Sequence, residues 1–356
     1  MMIDARRLLP LALLVGSPFV PLSAQTVPPI RTEAVKIASD PGVTLAGELQ
    51  LPPGAKRPPV VLLLGGGGPS PHGIYPLLEK RLLARGIATL SFDKRGVGAS
   101  SGMFLDAMDV AQRDAAAVLA YLRTRGDAID PARIAVLGIS QGGVIGPALA
   151  VDTPPVAAPP IVAVVTMAAP AGERGVLFLD SMREQLALSG MKAEALSPVI
   201  DATRRYLDGI TGGAPAGLVA ADRAAVVDAF VAAGWTRAEG EGAVKTLGDP
   251  ATSSLYTVGP GAVLRQVKAP VLAVYAAGDH VVSNRLAIPA ALGVLEQNPD
   301  ATVVRMPKVE HAFKPLVTTE TGGEEYRGWP LSDPDTIDLI DRWLGKRLGV
   351  GVVFKG

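Results

Sequence analysis

The chain has 356 residues and a formal net charge of zero, so neither a basic surface for nucleic acid nor an acidic surface for a basic partner is indicated. Hydrophobic residues make up 48% and charged residues 19%, which excludes a disordered chain and allows one large α/β domain with an insertion or two smaller domains. Cysteine is absent, which excludes disulfides, thiolate metal sites and a cysteine nucleophile.

Residues 1–24 have the pattern of a secretory signal peptide. Arg6 and Arg7 precede an apolar run at 8–15, and small or polar residues follow as far as Ala24, after which we predict cleavage. The apolar run is too short and too interrupted by proline for a membrane span. We therefore expect an exported protein, periplasmic or secreted, with no stable membrane span after cleavage; a buried N-terminal helix or a retained anchor is the alternative.

Strand and helix patterns alternate along most of the remaining chain. Residues 33–37 and 43–51 alternate apolar and polar positions around a turn, which predicts an antiparallel hairpin. Apolar runs typical of buried parallel strands lie at 60–64, 88–92, 134–137, 161–167, 271–276 and 302–306, and helical patterns lie at 74–85, 106–125, 141–151, 283–297 and 333–348. This alternation predicts an α/β fold with a doubly wound, mostly parallel sheet.

The segment 175–264 interrupts this alternation. It is alanine-rich and helical in pattern, with no convincing buried strand. An α-helical block between two β/α stretches predicts a cap over the carboxyl edge of the sheet. The expected organisation is therefore a core formed by residues 25–174 and 265–356, with a helical cap insertion at 175–264.

Ser140 is the strongest candidate for a nucleophile. It lies in the sequence Gly-Ile-Ser-Gln-Gly at 138–142, directly after a predicted strand and at the start of a predicted helix. A sharp strand-to-helix turn lifts a serine hydroxyl above the sheet and places it at a helix N-terminus, and small neighbours allow the close approach of other chain segments. The alternative is a glycine-rich helix start with Ser140 as its N-cap.

A serine nucleophile needs a base, because its free hydroxyl reacts too slowly at neutral pH. The chain has three histidines, His72, His280 and His311, and only His311 is predicted between the last strand and the last helix. Asp279 follows the predicted strand at 271–276 and completes the chain order Ser, Asp, His that this arrangement uses. The alternatives are a surface histidine in a turn and a turn aspartate, with Asp249, Asp300 and Asp333 as weaker candidates for the acid.

Acyl transfer also needs hydrogen-bond donors for a developing oxyanion. The backbone N–H of Gln141, directly after Ser140, is one candidate. A second is expected from the glycine run at 65–68, which follows the predicted strand at 60–64. A phosphate-binding loop is the alternative, but the Lys-Ser/Thr of such loops and the downstream acid of dinucleotide sites are missing.

Several blocks together resemble one family. The sequences Gly-Gly-Gly-Pro at 66–69, Phe-Asp-Lys-Arg-Gly-Val-Gly-Ala-Ser at 92–100 and Gly-Ile-Ser-Gln-Gly-Gly at 138–143 resemble bacterial exported α/β-hydrolases of the serine aminopeptidase/esterase type, as do the blocks at 269–279 and 310–313. The resemblance implies the α/β-hydrolase fold, a triad of Ser140, Asp279 and His311, ester hydrolysis, and Gly67 as the second oxyanion donor. Many relatives have His-Gly where this chain has Gly65 and Gly66. Asp93 and Arg95 are interpreted as structural residues of the loop after the strand at 88–92.

The expected function is therefore cleavage of small or medium carboxylic esters through an acyl-enzyme intermediate, with a small-molecule ester as the partner. A serine peptidase and a thioesterase are close alternatives, and a non-catalytic binding protein on the same fold is the alternative of another class. Neither a metal nor another cofactor is expected, because the mechanism requires none and the three histidines lack ligand-like spacing.

Overall fold

The computed structural model of the protein describes residues 29–151 and 159–351. The predicted signal segment, residues 1–24, lies outside the described residues. Among those described, no helix combines the length and the apolar character that a membrane crossing requires.

An eight-stranded sheet forms the centre of the molecule, with the strand order β1-β2-β4-β3-β5-β6-β7-β8. β1 pairs antiparallel with β2, and β2 pairs antiparallel with β4, whereas β4, β3, β5, β6, β7 and β8 are mutually parallel. The strands are β1 (Arg31–Ala38), β2 (Thr44–Leu51), β3 (Val60–Leu64), β4 (Ala88–Phe92), β5 (Ile134–Ile139), β6 (Ala163–Met167), β7 (Val271–Ala276) and β8 (Ala301–Met306). The prediction of a doubly wound, mostly parallel sheet is confirmed.

Helices cover both faces of the sheet, which is why its central strands are mostly apolar. In β3, Leu62 and Leu64 pack in one hydrophobic cluster, and Val61 and Leu63 pack in a second cluster on the opposite face. The first face is covered by α2 (Met108–Thr124), α3 (Gln141–Val151) and α10 (Asn284–Leu295), and the second by α1 (Pro76–Arg85) and α11 (Pro334–Arg347). The continuous apolar runs of the sequence thus reflect burial from two sides.

A helical insertion, residues 173–260, separates β6 from β7. Its own hydrophobic cluster contains Val199, Val226 and Phe230, and no residue of the sheet belongs to this cluster among the parts of the chain described. The helices that follow β6 are α4 (Val176–Leu188), α5 (Ala193–Gly212), α6 (Ala216–Ala232), α7 (Arg237–Gly248), α8 (Pro250–Thr257) and α9 (Pro260–Leu264).

A small hairpin after β8 was not predicted from the sequence. β9 (Leu316–Thr318) and β10 (Glu324–Tyr326) form a separate two-stranded antiparallel sheet between β8 and α11. Each strand has three residues, too few for an alternating pattern to stand out. The hairpin continues directly from the turn that carries His311.

Candidate active site

Ser140 occupies the sharp turn between β5 and α3. Its φ is +52°, in the left-handed region, which a residue other than glycine adopts at an energetic cost of about 1–3 kcal/mol. Backbone hydrogen bonds hold it on both sides: Ser140 N–H donates to Met167 O at 2.8 Å, and Val144 N–H donates to Ser140 O at 3.2 Å. The end of the sheet and the first turn of the helix therefore fix the strained residue together.

The glycines around Ser140 allow the backbone to approach itself closely. A Cβ on Gly138 would lie 2.0 Å from the carbonyl oxygen of Gly142, and a Cβ on Gly142 would lie 2.6 Å from the carbonyl oxygens of Leu64 and Gly65. These are backbone contacts that no side-chain rotation relieves. The glycine spacing of the motif is thus required by the path of the chain.

Asp279 and His311 come together at the same edge of the sheet, because both follow neighbouring parallel strands. His311 Nδ1 lies 2.8 Å from Asp279 Oδ2, and the Asp279 side chain is fully buried. Asp279 Oδ1 accepts from the N–H groups of Val281 at 2.8 Å and Val282 at 2.9 Å. The carboxylate is therefore held by two backbone donors, and its second oxygen orients the histidine ring.

The turn that carries His311 is held from two directions. Gly278 N–H donates to Val309 O at 2.8 Å, which joins this turn to the loop of Asp279. Phe313, fully buried with a φ of +57°, donates its N–H to Glu310 O at 2.8 Å, and Leu331 N–H donates to Ala312 O at 2.7 Å. His311 itself remains one-fifth exposed, so its ring can meet a substrate.

The three weaker acid candidates have structural contacts elsewhere. Asp249 and Asp333 are the N-caps of α8 and α11, accepting from the N–H groups of Ala251 and Thr336. Asp300 precedes β8 at the opposite edge of the sheet and pairs with Arg347.

The remaining two histidines also lie away from the Asp279–His311 pair. His72 Nδ1 is 2.7 Å from Asp93 Oδ1, while the largely exposed side chain of His280 is 3.9 Å from Glu184. Among the described residues, no group of histidine and acidic side chains is arranged to hold a metal ion.

Ser140 opens into a cavity of about 470 Å³ that lies between the sheet edge and the helical insertion. Val281 and Val282, which follow Asp279, line the same cavity, whereas Asp279 and His311 themselves are not among its lining residues. Among the described residues, no hydrogen bond joins Ser140 Oγ to His311; in unliganded sites such bonds are often long and tighten only when substrate binds. The helical insertion contributes mostly apolar lining, including Phe178, Met182, Leu186, Phe230, Trp235, Leu247 and Leu255.

The glycine run after β3 lies beside Ser140. A Cβ on Gly66 would be 3.6 Å from Ser140 Cβ, which shows that this peptide passes next to the serine. Gln141 begins α3 with its N–H at the helix N-terminus. Both predicted sources of oxyanion donors, Gln141 and the segment containing Gly67, therefore border the serine, where a developing negative charge is favoured.

Asp93 and Arg95 make the structural contacts interpreted from the sequence. Asp93 accepts from the N–H groups of His72 and Ala99, each at 2.8 Å; burial opposes ionisation, but these hydrogen bonds prevail and lower the pKa of Asp93. Arg95 pairs with Asp114 and Asp40. Lys94, between them, points instead toward Gln141, and the sequence analysis did not identify it.

Comparison with known proteins agrees with this architecture. A model of the alpha/beta hydrolase family matches residues 60–324. No curated protein matches the sequence.

Three solved structures illustrate the similarity of fold. An esterase from Pyrococcus furiosus has 14% identity and a TM-score of 0.55, with 90% of this chain and 92% of that chain covered. The alpha/beta hydrolase GrgF from Penicillium sp. has 17% identity and a TM-score of 0.54, with coverages of 90% and 99%. A thermophilic esterase from Thermogutta terrifontis has 16% identity and a TM-score of 0.50, with coverages of 88% and 99%.

Proposed function

Because the chain belongs to the alpha/beta hydrolase family, we propose that it is a serine hydrolase that cleaves carboxylic esters, with Ser140, His311 and Asp279 as its triad. The observation that carries the proposal is the buried Asp279 carboxylate bonded to His311 Nδ1, at the same sheet edge as the strained Ser140. That hydrogen bond leaves His311 Nε2 free to accept a proton, which is the state that a general base requires.

The reaction proceeds in two steps. His311 Nε2 removes the Ser140 hydroxyl proton as Oγ attacks the ester carbonyl, and the N–H groups of Gln141 and Gly67 stabilise the oxyanion. The tetrahedral intermediate collapses to an acyl-enzyme, and the departing alcohol takes the proton from His311. Water, activated by the same histidine, then releases the acid and regenerates the serine.

A fluorophosphonate probe tests this assignment directly. We expect wild-type protein to become labelled on Ser140, and Ser140→Ala to lose both labelling and ester hydrolysis. Ser181→Ala is the matched control, because Ser181 lines the same cavity and should leave the labelling intact. Absence of labelling in the wild type would instead support a non-catalytic binding protein, and full activity of Ser140→Ala would contradict the assigned nucleophile.

The cavity favours an apolar acyl group. Its lining from the insertion is mostly aliphatic and aromatic, and each methylene buried there contributes about 0.8 kcal/mol, or about fourfold in kcat/KM. We therefore expect kcat/KM for p-nitrophenyl esters to rise with acyl length until the cavity is full. In this role the helical insertion, corresponding to the predicted segment 175–264, is a cap that selects the acyl group.

Substitution of one lining residue tests the acyl site. Ala243 lines the cavity from α7, whereas Ala238 is exposed on the same helix. Ala243→Phe should lower kcat/KM for the longer esters by at least about tenfold, the loss of two buried methylenes, while acetate ester hydrolysis remains unchanged. Ala238→Phe should leave the whole series unchanged. Equal effects of Ala243→Phe on short and long esters would show that the acyl group binds elsewhere.

One residue favours a peptidase as the second candidate. Glu173 is the only charged residue among the described cavity-lining residues, and a carboxylate there could pair with the free amine of an aminoacyl substrate. Aminoacyl anilides, assayed beside the esters, discriminate the two: an aminopeptidase should cleave them and should lose this activity in Glu173→Gln. Thioesters use the same triad, so a thioester series completes the comparison.

The exported serine aminopeptidase/esterase type remains the closer grouping that we propose, with removal of residues 1–24 on export. N-terminal sequencing of the protein from the periplasm or medium should then begin at Gln25. An unprocessed N-terminus on the mature protein would contradict export by this signal.

A further inference from the structure

The Lys94 ammonium lies behind the candidate oxyanion site. Lys94 follows β4, and β4 is hydrogen-bonded to β3, whose carboxyl end leads into the glycine run. The lysine Nζ donates to Gly66 O at 2.6 Å, to Asp106 Oδ1 at 2.6 Å and to Gln141 Oε1 at 2.7 Å. An ammonium has three N–H donors, so each has one acceptor.

Two of these acceptors belong to the proposed oxyanion donors. The carbonyl of Gly66 is part of the same peptide group as the N–H of Gly67, so a cation on the carbonyl oxygen polarises the group and strengthens the N–H as a donor. The other acceptor is the side chain of Gln141, whose backbone N–H is the first donor. Gln141 is further fixed because its Nε2 donates to Asp106 O at 2.9 Å.

Asp106 completes the connection to the glycine run. Its Oδ2 accepts from Gly68 N–H at 2.5 Å, while its Oδ1 pairs with Lys94. The Lys94 side chain is 13% exposed and that of Asp106 is 9% exposed. A buried ion pair contributes little or nothing to stability relative to apolar residues of similar size, so its presence here is better explained by the geometry that it imposes.

We propose that Lys94 is a positioning residue of the oxyanion site, which holds the Gly66–Gly67 peptide at a fixed distance from Gln141 and thereby aligns the two donor N–H groups. The inference rests on the proposed serine-hydrolase function. Lys94 should therefore stabilise the transition state, in which negative charge develops on the substrate oxygen, and should contribute little to the binding of the uncharged ester.

The first test is Lys94→Met, assayed by kcat, KM and inhibition by an alkyl boronic acid, which forms a tetrahedral anionic adduct with the serine. Loss of a direct oxyanion donor lowers kcat about 100- to 1000-fold, so loss of a residue that aligns the donors should lower it by about 10- to 100-fold. KM should stay within about twofold, and boronate inhibition should weaken by the same factor as kcat. Lys80→Met, which removes an exposed lysine of α1, is the matched control and should change none of these values.

Two further variants separate positioning from a general loss of stability. Lys94→Met leaves the Asp106 carboxylate buried without its cation, whereas the double variant Lys94→Met/Asp106→Asn removes the charge as well. We expect the double variant to regain thermal stability but not kcat. Because the chain contains no cysteine, Lys94→Cys can be alkylated at this single thiol with 2-bromoethylamine, which restores an ammonium at nearly the lysine position and should restore most of kcat.

The outcomes distinguish this inference from the function on which it rests. If wild-type protein neither hydrolyses esters nor reacts with the fluorophosphonate, the proposed function fails and the role of Lys94 falls with it. If the wild type is active, the inference alone is overturned when Lys94→Met keeps full kcat, when kcat falls without weaker boronate inhibition, or when the double variant recovers both stability and kcat.

Discussion

Asp279→Asn changes the group that faces His311 while leaving the size of the side chain unchanged. In the structure, Asp279 Oδ1 accepts two backbone N–H groups, from Val281 and Val282, and Oδ2 faces His311 Nδ1. The amide oxygen of asparagine must stay where the two N–H groups point, because the opposite orientation would leave both donors unsatisfied at a cost of about 1–3 kcal/mol each. The NH₂ group is therefore directed at His311.

An NH₂ group beside Nδ1 requires that nitrogen to accept, so the histidine proton moves to Nε2. A protonated Nε2 cannot take the hydroxyl proton of Ser140. The same exchange in a serine-protease triad lowers kcat about 10⁴-fold, and we expect a loss of about 10³- to 10⁴-fold here. The melting temperature should change little, because the two backbone hydrogen bonds to Oδ1 remain.

Steady-state hydrolysis of a p-nitrophenyl ester and thermal unfolding measure both expectations. Asp300→Asn is the control, because Asp300 is the rival acid in the sequence but lies at the opposite edge of the sheet. Retention of more than about a tenth of wild-type kcat by Asp279→Asn would refute the reasoning, as would a comparable loss in the control.

Two further predictions concern the backbone and the pH dependence. In urea unfolding, Gly138→Ala should destabilise the fold by at least about 1–3 kcal/mol, because its Cβ would lie 2.0 Å from a backbone oxygen. The control Gly217→Ala, which has open space on α6, should stabilise the fold by about 0.5–1 kcal/mol. An unchanged free energy of unfolding in Gly138→Ala would contradict the packing. Burial lowers the pKa of Lys94, with Asp106 opposing this effect, so the ammonium should be lost at a lower pH than that of an exposed lysine. At alkaline pH, kcat should decrease, and the midpoint of this decrease should lie below the pH of about 10.4 at which an ordinary lysine titrates. Lys94→Met should lack the decrease.

The central sheet and the serine turn could be predicted from the sequence because both follow from local patterns. Val271–Ala276 is apolar at every position since helices cover both faces, and the predicted strand at 271–276 coincides with it. The glycines of the serine turn are spaced by the backbone contacts that they permit. Asp279 and His311 could be placed at one edge because the carboxyl ends of parallel strands meet there.

The contacts of Lys94 and the lining of the cavity could not be predicted in the same way. The helical pattern at 106–125 places Asp106 in the first turn of a helix, but α2 begins only at Met108, and the irregular segment before it turns the Asp106 side chain toward Lys94. The position of Lys94, two residues after the parallel strand β4 beside β3, was the available signal. The packing of α4 to α8 against one another decides which of their faces line the cavity. The sequence of α6, for example, is rich in alanine and valine, so the helix has no distinct apolar face that would indicate its orientation.

A hydrogen bond from Gly261 N–H to Gly172 O at 2.9 Å joins the two ends of the helical insertion. A Cβ on Gly261 would lie 2.4 Å from Ala171 O, so this junction depends on glycine. The insertion packs largely in its own cluster and departs and returns at one point. Leu177 of α4 packs with the sheet, so a replacement that keeps this apolar contact need not disturb the sheet. Recombination at this junction would exchange the proposed acyl-binding surface in one step while the proposed triad stays in place, a route by which one scaffold can acquire new substrates.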